Sequence, residues 1–201
     1  MPLTPIHDKG VVYVCVDIEA SGPVPGLYNM VSIAGVAVHL DGHRHRRGDS
    51  FYYELAPVCD GFDPGAMAIH GLTEEHLRAH GKDPDAVMAE IDAWVRARLA
   101  QGQRAIFVGH NAAFDWSFVS WHFVRARIDN PFRYDPLDTK ALAMGRHAIP
   151  WGRSNKSALL ALHPGLEAPE PDTEHHALVD AEFQADILIT LLDGEPPTTT
   201  K

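Results

Sequence analysis

The run "VVYVCVDIEASGP" closes on two carboxylates, Asp17 and Glu19, placed two residues apart. On an extended strand that spacing puts both side chains on one face, where they repel each other unless something positive lies between them. Two further acids occupy comparable places. Asp115 falls in "GHNAAFDW", in the first turns of a helix that follows a strand, with Asn111 placed as its N-cap. Asp180 lies in "TEHHALVDAEFQADIL", on a helix whose buried side is marked by Leu178, Phe183, Ile187 and Leu191. Carboxylate oxygens suit hard divalent cations, and a pair of such ions about 4 Å apart stabilises both the attacking and the leaving oxygen of a phosphoryl displacement. Each acid also has a plain structural reading: a strand end turning into solvent for the pair, a favourable helix-dipole position for Asp115, and a surface ion pair to a histidine for Asp180.

Displacement by water needs a base, and histidine is the side chain suited to that near neutral pH. The chain has 13 histidines. His110, His147 and His163 read as core or surface residues, and His70 as a loop-packing or substrate-contact residue. His175 and His176 stand beside the last acid. On a regular helix His176 and Asp180 are four apart and share a face, which describes an ordinary ion pair. No HExxH or Cys/His spacing supports a structural zinc.

These side chains need a scaffold, and 201 residues with 45% hydrophobic content supply one domain. We expect an extension over 1–10, a domain over 11–193 and a flexible tail over 194–201. Strands are expected at "VVYVCVD", "MVSIAGVAVHL", "FYYELAP", "RAIFVGH" and around "FRYDPLD". Helices are expected at "TEEHLRAH", "DPDAVMAEIDAWVRARLA" and "FDWSFVSWHFVRARI", and near 139–147, 156–162 and 175–192. The order of three strands, helices, then strand–helix units implies an α/β architecture with a mixed sheet flanked by helices. The sequence following Met1 has no apolar signal region and no segment has the length of a membrane span, so a cytoplasmic protein without a membrane partner is expected. Two cysteines without CxxC spacing read as reduced.

The net charge of −10 argues against a protein that coats long duplexes. Its distribution is uneven. Residues 121–160 carry Arg125, Arg127, Arg133, Lys140, Arg146, Arg153 and Lys156 against Asp129, Asp135 and Asp138, whereas 161–200 hold acids and no Lys or Arg. One segment is thus suited to a short anionic ligand, and the other to solvent or metal.

Taken as an ordered set, "VDIEASG", "HNAAFD" and "HHALVDAE" resemble the three exonuclease motifs of the DEDDh 3'→5' exonucleases, the group of ribonuclease T, oligoribonuclease and proofreading subunits. "IHGLTEEHL" and "DPLDTKALA" are similar to two secondary stretches of that family, and the resemblance spans about residues 11–192. It departs at Ser32, where many members carry a glutamate.

The resemblance implies an RNase H-like five-stranded mixed sheet and two ions, Mg²⁺ or Mn²⁺. Asp17 would bridge the ions, Glu19 and Asp180 would complete one site, and Asp115 would hold the second. The family's H-x-x-x-x-D spacing selects His175 as the base. Ala20 and Ser21 would contact the terminal nucleotide through backbone, with His70 and Phe114 beside it and Tyr28 and Trp151 as further stacking candidates. The activity implied is removal of nucleoside monophosphates from single-stranded RNA or DNA 3' ends. A subunit acting beside a polymerase, a non-catalytic nucleic-acid-binding module and a phosphatase using Asp17 as nucleophile are the alternatives. Many relatives are dimers, which leaves a homodimer open.

Overall fold

The computed structural model describes residues 4–170 and 175–194. Its strands are β1 (Val11–Ala20), β2 (Met30–Asp41), β3 (Arg44–Glu54), β4 (Arg104–Gly109) and β5 (Leu137–Asp138). They form one sheet in the order β3-β2-β1-β4-β5, with β1, β2 and β3 antiparallel and β4 and β5 running parallel to β1. β1 is central and covered on both sides because its alternate residues serve two cores. Val14, Val16, Ile18 and Ala20 pack with α3 (Pro84–Arg96) and α4 (Ala113–Ala126), while Val11, Tyr13 and Cys15 pack with α7 (Ala177–Asp193).

The strand continues past the apolar run to Ala20, so Asp17 and Glu19 lie within it and extend the odd-numbered row. Ala34 and Ser32 stand opposite them on β2, both small enough to leave the carboxylates room.

Three expectations need correction. β3 begins at Arg44, well before "FYYELAP", and ends at Glu54. Its first half is an edge facing solvent, where arginines replace the apolar alternation that identifies a strand. A helix, α1 (Pro64–His70), occupies what reads as a loop; Asp63 caps it and Pro64 stands in its first turn. The helix expected over 83–100 ends at Arg96, and Leu99 packs on the core from the turn that follows.

The remaining elements are α2 (Glu74–His80), α5 (Thr139–His147), a 3-10 turn over Trp151–Arg153 and α6 (Lys156–Leu162). The N-terminal extension is tied down where the Ile6 N–H donates to the Leu192 carbonyl at 2.9 Å. Of the expected tail, Gly194 caps α7 in the left-handed conformation, and 195–201 lie outside the described residues. Among the described residues no helix is long and apolar enough to cross a membrane.

Candidate functional site

The four acids meet at the carboxyl end of β1 and β4, where the first turns of α4 and α7 converge. Asp17 and Glu19 come from β1, Asp115 from α4 and Asp180 from α7. They line one cleft of about 410 Å³ together with His110, Phe114, Lys156 and His175.

Each carboxylate is held by the fold. Asp115 is buried and its Oδ1 accepts the Ile18 N–H at 3.2 Å, so the backbone of β1 orients it. The buried Gln184, one turn beyond Asp180 on α7, donates its amide to Asp17 Oδ1. Asp180 accepts the His175 N–H at Oδ2 (3.1 Å) and the Lys156 ammonium at Oδ1. Glu19, His175 and Asp180 each offer one ligand atom, all within 4.8 Å of one another.

The electrostatics follow from that crowding. Burial raises the Asp17 carboxyl well above its usual range, with Asp115 and Asp180 adding to the rise and Lys156 opposing it. Burial, then Asp180 and Asp115, push Glu19 up to about 8. Burial raises Asp115 too, against the Ile18 hydrogen bond that favours its ion. A folded state whose acids titrate above their unfolded values holds protons that the unfolded chain has released. The contribution of these acids to stability is therefore full below the ordinary carboxylate range and is lost as pH rises toward about 8. In chelator, thermal melts should move downward over the part of that window above the ordinary histidine range, because the lowered His110 and His122 add stability as pH rises below it. A melting temperature that rises from about pH 7 to about pH 8, above the ordinary histidine range, would contradict the repulsion.

Several positions differ from their sequence reading. Asn111 does not cap α4: its φ is 74° and the cap position falls to Ala112, whose N–H donates to Asp138 at 3.0 Å. His176 makes no pair with Asp180. It stands just before α7 and stacks on Tyr52, ring centres 4.7 Å apart. His175 precedes it in the left-handed conformation (φ 63°) and lines the cleft. His110 is a cleft residue rather than a core or surface one; its Nδ1 lies 2.9 Å from Thr139 Oγ1, and burial with Lys156 and Lys140 holds it down at about 4.

A second cleft of about 340 Å³ opens beside the first, sharing Glu19 and Phe114 with it. Ala20, Gly22, Asp63, Ile69 and His70 complete its walls. Burial lowers the His70 imidazole below its ordinary value. Ser21 is excluded from this surface. Its hydroxyl donates to the Gly61 carbonyl (2.6 Å) and accepts the Asn29 N–H (2.8 Å), and its own N–H and C=O bond to Asn29 and Asp63. Tyr28 packs directly over Gly22, where a Cβ would lie 2.2 Å from its ring. Trp151 stands under Lys140, whose ammonium is 4.1 Å from the ring centre.

The family model described as "Exonuclease", RNase T, matches residues 14–188. The chain belongs to this exonuclease family. It is 36% identical over 182 residues to the 3'-5' DNA exonuclease Cap18 of Escherichia coli, a match covering 90% of this chain and 91% of that protein. It is 28% identical to DNA polymerase III subunit epsilon of Pasteurella multocida over 169 residues, covering 78% of this chain and 62% of the relative. Among solved structures, the nuclease domain of 3'hExo, a DEDDh family member bound to rAMP, aligns with a TM-score of 0.72 at 13% identity, covering 90% of this chain and 91% of that one. The zinc-bound E. coli ExoI–ssDNA complex aligns at 0.69 and 19% identity, covering 90% and 40%. The sheet and its flanking helices are thus the RNase H-like fold of these nucleases, and the chain is a 3'-5' exonuclease.

Sequence reasoning missed Lys156 and Gln184. Both act across the fold, 24 and 167 residues from their partners; the local signal that could have found Gln184 is its place one turn after Asp180 on the same face of α7.

Proposed function

We propose that this exonuclease shortens single-stranded nucleic acid from a free 3' end, releasing nucleoside monophosphates, and that Asp17, Glu19, Asp115 and Asp180 hold two Mg²⁺ or Mn²⁺ ions. The observation that carries the proposal is the convergence of four carboxylates and two imidazoles, those of His110 and His175, in one cleft. The donor set fits hard cations: its four carboxylates offer oxygen alone, and burial with mutual repulsion leaves the acids in want of positive charge. Bound there, the ions supply charge stabilisation for the attacking and leaving oxygens.

The chain's own groups do the rest. Gln184 and the Ile18 N–H fix the directions of Asp17 and Asp115 before substrate arrives. His175, placed ahead of α7 with its N–H held by Asp180, takes the proton from the attacking water. Phe114 is 37% exposed and borders both clefts, so it offers a ring face to the terminal base. Ala20 and His70 line the space beyond it. The likeness to Cap18, named a DNA exonuclease, favours DNA.

The alignment with the polymerase subunit supports a second reading, the same chemistry performed beside a polymerase. It differs in partner and not in site.

The test uses labelled single-stranded DNA and RNA with free or 3'-phosphorylated ends. Glu19 is shared by the two clefts, so a terminal phosphate is brought against its carboxylate. Blocked ends should be degraded at least about tenfold more slowly, about 1.4 kcal/mol of repulsion. Equal rates on both ends would refute 3'-end recognition at this surface.

A further inference from the structure

We infer that Lys156 is a tethered counter-ion of the carboxylate cluster, which an incoming metal must displace from Asp180. The inference rests on the metal-binding reading above. Lys156 is the first residue of α6, whose cap is formed by Asn155 accepting the Ala158 N–H at 2.9 Å. A cation there opposes the helix dipole, so its local setting gives no reason for its presence.

Its longer-range setting does. The ammonium reaches 24 residues along the chain to Asp180 Oδ1, whose side chain is 15% exposed. Asp180 Oδ2 is occupied as well, by the His175 N–H. Both oxygens of one proposed ligand therefore carry a donor before any metal arrives, and a dication placed on Oδ1 would lie close to the ammonium and repel it. Lys156 is also the one Lys or Arg among the described residues lining the cleft. Its charge opposes the crowding of Asp17, Glu19 and Asp115 besides that of Asp180.

Exit is open to it. The Lys156 side chain is 32% exposed, and a four-carbon stem can carry the ammonium outward at little cost. Metal uptake then becomes an exchange of one cation for another. The metal-free site is kept folded without protonating all its acids, and the exchange lowers apparent metal affinity by the worth of the broken pair. A partly exposed pair of this kind weakens binding by about 2- to 5-fold.

The experiment titrates Mn²⁺ into the whole chain by calorimetry for wild type, Lys156→Gln and Lys156→Arg, and melts each in chelator and in saturating Mn²⁺. Lys156→Gln keeps the reach and removes the charge; it should bind Mn²⁺ about 2- to 5-fold more tightly. It should also melt at lower temperature than wild type in chelator, with the difference closing when Mn²⁺ is added. Lys156→Arg should behave as wild type in both assays, which shows that charge and not packing is responsible. Equal or weaker Mn²⁺ binding by Lys156→Gln would overturn the exchange while leaving the metal site standing. No Mn²⁺ uptake by wild type would overturn both.

Discussion

Asp17→Asn is expected to abolish nuclease turnover, by about 10³-fold or more, while raising the melting temperature of the metal-free protein. Asparagine keeps the shape and still offers Gln184 an amide oxygen to accept its hydrogen bond, so the packing of β1 against α7 is preserved. It removes the charge that the fold resists. Asp17 is the acid on which burial, Asp115 and Asp180 all press, so its neutral replacement relieves the largest share of the repulsion. The same charge is the one the reaction needs, since losing several kcal/mol of transition-state stabilisation costs a factor of ten for each 1.4 kcal/mol, roughly. Opposite signs for activity and stability distinguish a functional carboxylate from a structural one. Asp41, exposed on the β2–β3 hairpin and paired with Arg46, serves as the control, and Asp41→Asn should change neither. Turnover of Asp17→Asn within tenfold of wild type at saturating Mg²⁺ would sink the assignment of Asp17 to the metals.

The sheet and its order of elements were legible because buried strands and amphipathic helices write their packing into local sequence. Val87, Ile91 and Val95 show the helical period of α3, and Asp83 with Pro84 marks its start. The same Asp-Pro signal stands at Asp63 and Pro64, yet α1 was not visible. That helix has seven residues, a glycine in its first turn and no buried side chain, so it leaves no apolar stripe to read. Half of β3 was hidden for a related reason, since an edge strand facing water is polar on both sides.

Within the site, legibility divides by distance along the chain. The two acids of β1 share a face by strand geometry alone. Lys156 and Gln184 meet their partners only because α6 and α7 dock where they do, and although Gln184 shares a helix face with Asp180, no local sequence names Asp17 as its partner or Asp180 as that of Lys156. Ser21 was misread for the converse reason. It follows the acids in sequence, but Asn29, Gly61 and Asp63, brought to it by the fold, take its hydrogen-bonding groups.

The two adjacent histidines give the second large expected effect. Family spacing points to His175, whereas regular helix geometry would pair His176 with Asp180. The structure resolves the placement of the two rings, since α7 begins only at Ala177 and both histidines precede it. At φ 63° the backbone of His175 turns its ring toward Glu19 and Asp180, and His176, extended, lies flat on Tyr52. If His175 takes the proton from water, His175→Ala should lose about 10² to 10⁴-fold in turnover, the usual contribution of general-base assistance. Its Mn²⁺ affinity should remain close to wild type. His176→Ala should lose far less activity and instead about 1 kcal/mol of stability with its stacking partner. An alanine at a positive φ carries strain of its own, so His175→Gly, which suits that backbone, separates the two effects. Both His175 variants should be crippled alike, and added imidazole should restore part of the rate by supplying the missing base from solution. A His176→Ala enzyme crippled to the same degree, or a His175→Gly enzyme of normal turnover, would move the base away from His175.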